Sequence, residues 1–572
     1  MTPPPPHAQR RPRSGERARE RDLVEVLRLP GAGGWFLAAW AVLLISAPPA
    51  SNWFWGVNGL RSLPPGARFG LVLAAAAAAG LVALRLRSRA LAVALAFAVA
   101  IAVAFPLRES VHFLGDTQIR LRAMAVFNAR MIRVTLDEWS TRLHANPLDI
   151  VVNFLGPIEL ERLGISLLNG VSVVSVALAL LFFAGAWRVA SRLGAPPEVR
   201  LALCAALVVG GTLEAFAGYA ESAGLLLAAA AWWWAEMLAP LDGTRQAARI
   251  AGAWLVMFAS HRLGLVMLGP LAWRALGPPL PGDQPHARRW LLGFGALAAV
   301  MAGATMMAGA GGKQLGMDLG DMLGALGGAA RAVPPSDYFN TLALVAPLAF
   351  AAPWLSGRDE LARFLRCPVG QLLLAGSILL LPVMWFVPAN SHGVGAHRDW
   401  DLGVLGGLTL TLTAGALLAR LPAGRLRGAL LCVLPLLVLQ AGGWLGVNAS
   451  GEATMRRAKA LVEQPPGLID SHLSNLHGYL GQRAMDMGAP HFAAPELERA
   501  FDLNRNPRRA MIAAEAWALA GDFAAARATL ARGRAAGPLS PSLAASALRL
   551  DTLIARIAAT SAGAAADSAA RR

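Results

Sequence analysis

Apolar stretches of roughly membrane-crossing length recur along most of the chain, separated by short breaks that carry arginine. No other feature constrains the fold as much. A bilayer core of about 30 Å is crossed by about 20 mostly apolar residues in helical form. Eleven stretches approach that description, at 34–50, 68–85, 90–107, 165–187, 199–217, 219–239, 288–310, 339–356, 368–388, 402–420 and 427–447. A twelfth, 249–276, carries Ser260, His261 and Arg262 at its middle. A charged arginine at the bilayer centre is costly, so the trio predicts a break between two short helices, 249–260 and 263–276. Eleven plus two gives thirteen expected segments. The chain is 56% hydrophobic and only 15% charged, against about 45–50% and about 25% in an ordinary soluble domain. The expected fold is all-α, a polytopic membrane helical bundle with a small soluble helical domain at its C-terminal end.

The basic excess fits topology better than nucleic-acid binding. Of 52 basic residues all but Lys313 and Lys459 are arginine, the net charge is +17, and the arginines punctuate apolar stretches instead of clustering with aromatics, so no nucleic-acid partner is expected. Cytoplasmic loops are enriched in Lys and Arg. Placing the N-terminus inside puts Arg85, Arg87 and Arg89, Arg188 and Arg192, Arg245 and Arg249, Arg274 and Arg288, Arg358 and Arg363, and Arg420 and Arg425 on that side. The outer connections are then 51–67, 108–164, 214–221, 260–262, 311–338 and 389–401, and everything from 448 onward is also external. The expected location is the cell inner membrane, with a cytoplasmic N-terminus and a periplasmic C-terminal domain. Residues 1–33 read as a disordered tail, 34–447 as the membrane domain, 448–558 as the soluble domain and 559–572 as a frayed end. The three cysteines, Cys204, Cys367 and Cys432, have no metal or disulfide spacing.

From 448 the sequence becomes Ala-rich with mixed charge. Residues 514–538 contain Trp517, Gly521-Asp522-Phe523, Ala526, Leu530 and Pro538, a spacing that resembles one tetratricopeptide unit, and a weaker unit covers 473–506. An Ala-rich bundle without repeat ancestry is the plainer alternative.

The less ordinary polar motifs lie in the outer connections. Asp116 follows Gly115 shortly after the span ending near Leu107. An acid at headgroup depth is partly desolvated, which raises its basicity, so Asp116 is the first choice for a catalytic base. Arg120 opens a mixed basic and apolar segment, 119–143, suited to lying on the membrane surface. Glu221 ends a tight turn where an acid can meet a cation or a sugar hydroxyl; a solvated helix-end acid is the commoner case. His261 and Arg262 at the broken helix suit phosphate recognition. The densest polar cluster is Asn390–Asp401, where His397 and Arg398 read as a lipid-phosphate clamp and Asp399 and Asp401 as orienting or metal-contacting carboxylates. No established metal-ligand spacing is met. The sequence requires no cofactor and leaves room for a divalent metal. Loop 311–338, Gly-rich with Lys313, Asp318, Asp321, Arg331, Asp337 and Tyr338, reads equally as a mobile cover or a connector. No phosphate loop, dinucleotide fingerprint, H-E-x-x-H or G-x-S-x-G is present.

Many spans with short or broken helices, Gly115-Asp116 just past a helix end, an amphipathic segment after it and a helical C-terminal domain together resemble the GT-C class of integral-membrane glycosyltransferases. That resemblance implies transfer of a sugar from a polyprenyl-phosphate carrier to an acceptor on the non-cytoplasmic face, with inversion. Asp116 would act as base, His261, Arg262, His397 and Arg398 would neutralise the leaving phosphate, and the C-terminal domain would bind acceptor or partner protein. Two departures stand out. The acid-bearing loop follows the third span instead of the first, and Asp116 has no acidic neighbour in sequence. Two rival readings remain, a secondary transporter and a non-catalytic membrane scaffold; the one-sided acids argue against the first, and the polar outer loops are left idle by the second.

Overall fold

A computed structural model describes residues 31–49, 51–85, 88–130, 146–309, 335–390, 396–464 and 469–570. Every regular element among them is helical. Five described helices are long and apolar enough to cross a membrane: Pro65–Ala83, Leu167–Arg192, Pro368–Trp385, Trp400–Ala419 and Ala423–Ala449. A sixth candidate is the pair Pro335–Val345 and Pro347–Ser356, bent by 76°. The helical membrane bundle is therefore supported, while thirteen segments is a finer count than these helices carry. The difference has a local cause. The 199–217 and 219–239 stretches are mostly apolar, yet they form helices of only 12 and 15 residues, Pro197–Val208 and Ala223–Met237, joined through Gly210 and the 3-10 turn Gly211–Phe216. Twelve residues rise about 18 Å, well short of a bilayer core. At 249–276 the expected break is present: Thr244–Ser260 ends at His261, whose backbone is extended, and the chain resumes as Arg262–Met267 and Leu268–Leu276.

Packing follows side-chain size. Ala223–Met237 is apolar on all sides and lies buried against Leu167–Arg192 and Thr244–Ser260. Ala423–Ala449 packs on Pro65–Ala83 and on the short helix Gly59–Ser62. At that crossing a Cβ on Gly59 would stand 2.6 Å from the Gly443 carbonyl carbon, so the two backbones touch and only glycine fits. The outward faces of Pro65–Ala83 and Arg89–Ala104 expose Phe69, Leu73, Val93 and Ile101, as expected of lipid-facing surface.

The C-terminal part is clasped to this body. Ser450 Oγ accepts Ala453 N–H and caps Gly451–Glu463. On that helix the buried Arg457 donates to Trp55 O at 2.9 Å and to Asn58 Oδ1 at 2.6 Å, while Asn52 Nδ2 donates to Ala460 O and Gln464 O. Residues 451–463 thus belong with the 51–58 connection, and the boundary expected at 448 does not separate two independent packing units. Asp470–Asp486, Pro490–Leu503, Pro507–Leu519 and Phe523–Ala535 then pack in succession, each on its sequence neighbour. Gly521 turns at φ +85° and Asp522 caps the following helix by accepting Ala525 N–H. The last helix, Pro541–Ala570, runs through much of the stretch expected to fray, in keeping with the high helix propensity of alanine. The N-terminal tail to residue 30, residues 131–143 of the surface segment, Lys313, Asp318, Asp321 and Arg331, and His392 lie outside the described residues.

Candidate functional site

The chain leaves Arg89–Ala104 and forms a tight irregular loop before the helix Thr117–Arg130. Asp116 O accepts Arg120 N–H at 3.0 Å, which makes Asp116 the residue at the helix entrance, and its side chain is exposed. Gly115 adopts φ +51°, and a Cβ there would collide with the Tyr219 hydroxyl and the Glu221 carboxylate. Glycine therefore lets the loop press directly on the 211–222 turn. The Asp116 amide donates to Glu221 Oε1.

The loop is pinned on its other side by Arg398. Its Nε donates to Phe113 O at 2.7 Å, its Nη2 donates to Gly115 O, and Arg398 O accepts Gly115 N–H at 3.0 Å. The guanidinium also lies 4.2 Å from the Tyr479 ring centroid, a contact supplied by the Asp470–Asp486 helix. Arg398 is 3% exposed. A fork already committed to two carbonyls and covered by an aromatic ring is a positioning group for the Asp116 loop, and this corrects its assignment to a phosphate clamp.

His397 is corrected with it. The ring sits among Trp55, Trp444 and Phe113 at centroid distances of 5.1, 5.2 and 5.9 Å, and neither nitrogen has a hydrogen-bond partner among the described residues. Burial, with Arg457 and Arg398 adding, holds its basicity well below the ordinary histidine value. A neutral, enclosed imidazole offers no charge to a phosphate.

Asp399 and Asp401 flank Trp400 and are half-buried. Asp401 and Asp116 both act on Glu221, whose carboxyl is raised well above its usual value, first by burial and then by these two negative neighbours. The paired acid missing from the sequence around Asp116 is thus supplied in space by Glu221 and Asp401. Among the described residues, no group of three or more His, Cys, Asp or Glu side chains is arranged to hold a metal ion.

Arg120 reaches behind this acidic group. It forms a fork with Asp149, Nη1 to Oδ1 at 3.2 Å and Nη2 to Oδ2 at 2.6 Å, and donates to Ala220 O at 3.1 Å. Burial opposes its charge, but the Asp149 carboxylate outweighs that and raises its basicity. Asn153 Nδ2 completes the pair by donating to Asp149 Oδ1 at 2.8 Å. Asp149 escaped the sequence reading because a lone acid in a loop with many arginines does not announce its partner. His261 stands in electrostatic range of Asp149 and Arg120. Its Nδ1 accepts Leu263 N–H at 3.0 Å, and burial is the main cause that lowers its pKa to about 4. Asn146 donates to Phe258 O and ties this junction to the same loop. Arg262 is exposed.

Asp116, Glu221, Asp401, Arg120 and His261 therefore come together at one end of the bundle, with Arg398 holding the loop. The accessible members are mainly acids. Of the four basic residues proposed for phosphate, only Arg262 presents an exposed, permanently charged group. Comparison with family models, curated proteins and solved structures finds no match to this chain, so the functional reading rests on these side chains.

Proposed function

We propose that the chain is an integral-membrane glycosyltransferase of the GT-C kind, which moves a sugar from a polyprenyl-phosphate carrier to an acceptor on the non-cytoplasmic face of the inner membrane. The observation that supports it most directly is the exposed Asp116 carboxylate with Glu221 against its own amide and Asp401 in electrostatic range. Paired acids of this kind accept a proton from an attacking hydroxyl. As the acceptor oxygen bonds to the anomeric carbon, the bond from that carbon to the carrier phosphate breaks, and the hydroxyl proton passes to Asp116 or Glu221. Arg262, the exposed one of the four basic candidates, neutralises the departing phosphate, and the polyprenyl tail lies among the spans in lipid. The consecutive helices from Asp470 onward, read as tetratricopeptide-like, bind the acceptor or a partner protein.

The test uses the full chain in lipid nanodiscs with a radiolabelled polyprenyl-phosphate sugar and follows release of polyprenyl phosphate. Asp116→Asn should lower the rate about 100-fold or more with folding unchanged. Unaltered transfer in that variant refutes the assignment of the base. Chelation of divalent ions in the same assay decides whether a metal assists the acids.

A further inference from the structure

A second pair of carboxyls lies behind the loop that carries Asp116. Glu109 and Glu214 are 1% and 0% exposed, and their segments are tied by Glu109 N–H donating to Ala217 O at 3.1 Å. Glu109 Oε1 accepts Leu114 N–H at 2.8 Å. Its Oε2 has no partner among the described residues, and Glu214 meets the neutral Asn448 side chain with no cation named beside it. The buried Asn448 side chain faces Glu214, and the buried Tyr219 hydroxyl faces Asp401. Tyr219 is in electrostatic range of Asp401, Glu221, Glu109 and Asp116.

The charges around the pair are unequal. Arg398 and Arg483 act on Glu109, and Tyr479 feels it from the Asp470–Asp486 helix. Glu214 is met by Glu109 and by the neutral Asn448. His112, on the same loop, is neutral because burial lowers its basicity. An ionised carboxylate without a counter-charge is costly in such surroundings, and two adjacent carboxyls resist double ionisation.

We propose that Glu109 and Glu214 form a proton-holding dyad in which Glu214 stays protonated and Glu109 exchanges its proton, linked through Tyr219 to Asp116 and Glu221. The dyad stands on the burial of both carboxyls and the orphaned Glu109 Oε2; its use as a relay rests on the glycosyl-transfer reading. In that step the proton taken from the acceptor hydroxyl reaches Glu221. Tyr219 gives its O–H proton to the Glu109 carboxylate and takes the one held by Glu221, so the phenol ends as it began. Glu109 gains one proton, the outer acids are ionised again, and no electrons change hands. Burial is the main influence that lifts the Glu109 pKa to about 7, against the Leu114 and Phe113 amides and the two arginines, which suits exchange near neutrality.

The dyad is tested without any substrate by infrared spectroscopy of the full chain in nanodiscs, following the carbonyl band of protonated carboxyls as pH is raised. Among the protonated-carboxyl bands, which include that of Glu221, the pair should contribute one component that persists above neutrality and one that fades near pH 7, each identified by difference against its variant. Glu109→Gln should remove the fading component and lower the midpoint of the persistent one by about one pH unit or more, because the Glu109 charge raises Glu214. Glu214→Gln should remove the persistent component and leave Glu109 titrating near pH 7, since the carboxyl it replaces is neutral there. A wild-type spectrum with no protonated carboxyl at neutral pH overturns the dyad even if neither variant folds, and so does a persistent component whose midpoint is unmoved in Glu109→Gln. The relay is tested by Tyr219→Phe, which should keep both infrared components and slow transfer at least tenfold. Transfer at the wild-type rate in that variant overturns the relay and leaves the dyad standing. A wild type that transfers no sugar overturns the relay together with the transfer reading, while the infrared titration still decides the dyad.

Discussion

The main-chain amide of Asp116 donates to the carboxylate of Glu221, a residue 105 positions later in the chain. The bond joins the two acids of the site in one unit, and it gives Glu221 a role that its place in a helix-end turn did not suggest. Because burial and then Asp401 and Asp116 raise the Glu221 pKa well above the ordinary carboxyl value of 4.5, the carboxyl loses its proton only at higher pH. Activity that needs it ionised should therefore rise with pH through a limb displaced upward. Asp401→Asn removes a negative neighbour and should move that limb down by about one pH unit, read from the pH profile of kcat/KM. A profile identical in the two proteins contradicts the coupling.

Arg398 and Arg262 should fail in different ways. Arg398→Lys keeps the charge but loses the fork that holds Phe113 O and Gly115 O, so kcat should fall at least tenfold with KM for the carrier little changed. Arg262→Ala should instead raise KM for the polyprenyl-phosphate sugar about tenfold, as expected for a lost charged hydrogen bond. The reverse pattern would return Arg398 to the phosphate.

Gly115→Ala introduces a methyl group where the Tyr219 hydroxyl and the Glu221 carboxylate already stand, at φ +51°. The backbone penalty alone is about 1–2 kcal/mol, and transfer should be lost because the loop must withdraw from the turn. Gly70→Ala, where a Cβ meets nothing within 4 Å, is the control. Thermal unfolding and transfer rate measured on both variants check the pair.

His112 is held near a pKa of about 4, first by burial and then by Arg483 and Arg108, against 6.5 when solvated. Between those values the unfolded chain binds a proton that the folded chain does not, so this residue's contribution to stability is present above pH 6.5 and is lost as pH falls to about 4. The loss amounts to about 3 kcal/mol. Glu109 acts in the opposite sense, since its raised pKa favours the folded state at low pH and loses that advantage as pH rises from 4.5 through about 7. The measurement is accordingly the difference in unfolding temperature between wild type and His112→Asn across this window. Asn accepts the positive φ of +52° at this position, and its curve should lie above the wild type increasingly toward acid.

Composition and apolar run length made the helical membrane bundle legible, and the Ser260–Arg262 interruption was visible because a charge stood where lipid would be. The break at Gly210 and Gly211 was not visible, since hydropathy continues smoothly across it while the backbone leaves the helix. The Asp116 loop could be found from one acid beside a glycine. Glu221 and Asp401 were candidates by their place in outer connections, though not as its partners; Asp149 and Glu109 are single acids whose significance lies in what the fold sets against them. His397 and Arg398 misled for the opposite reason. In sequence they look like an exposed polar cluster, and only the arrival of Trp55, Trp444 and Tyr479 turns them into interior residues.

Tyr479 covers the Arg398 guanidinium from a helix that begins beyond the last span. The proposed site is consequently not a possession of the long apolar helices alone. A version of this protein shortened to those helices would leave the Arg398 anchor of the Asp116 loop without its aromatic cover, so the C-terminal helices and the proposed chemistry must be inherited together.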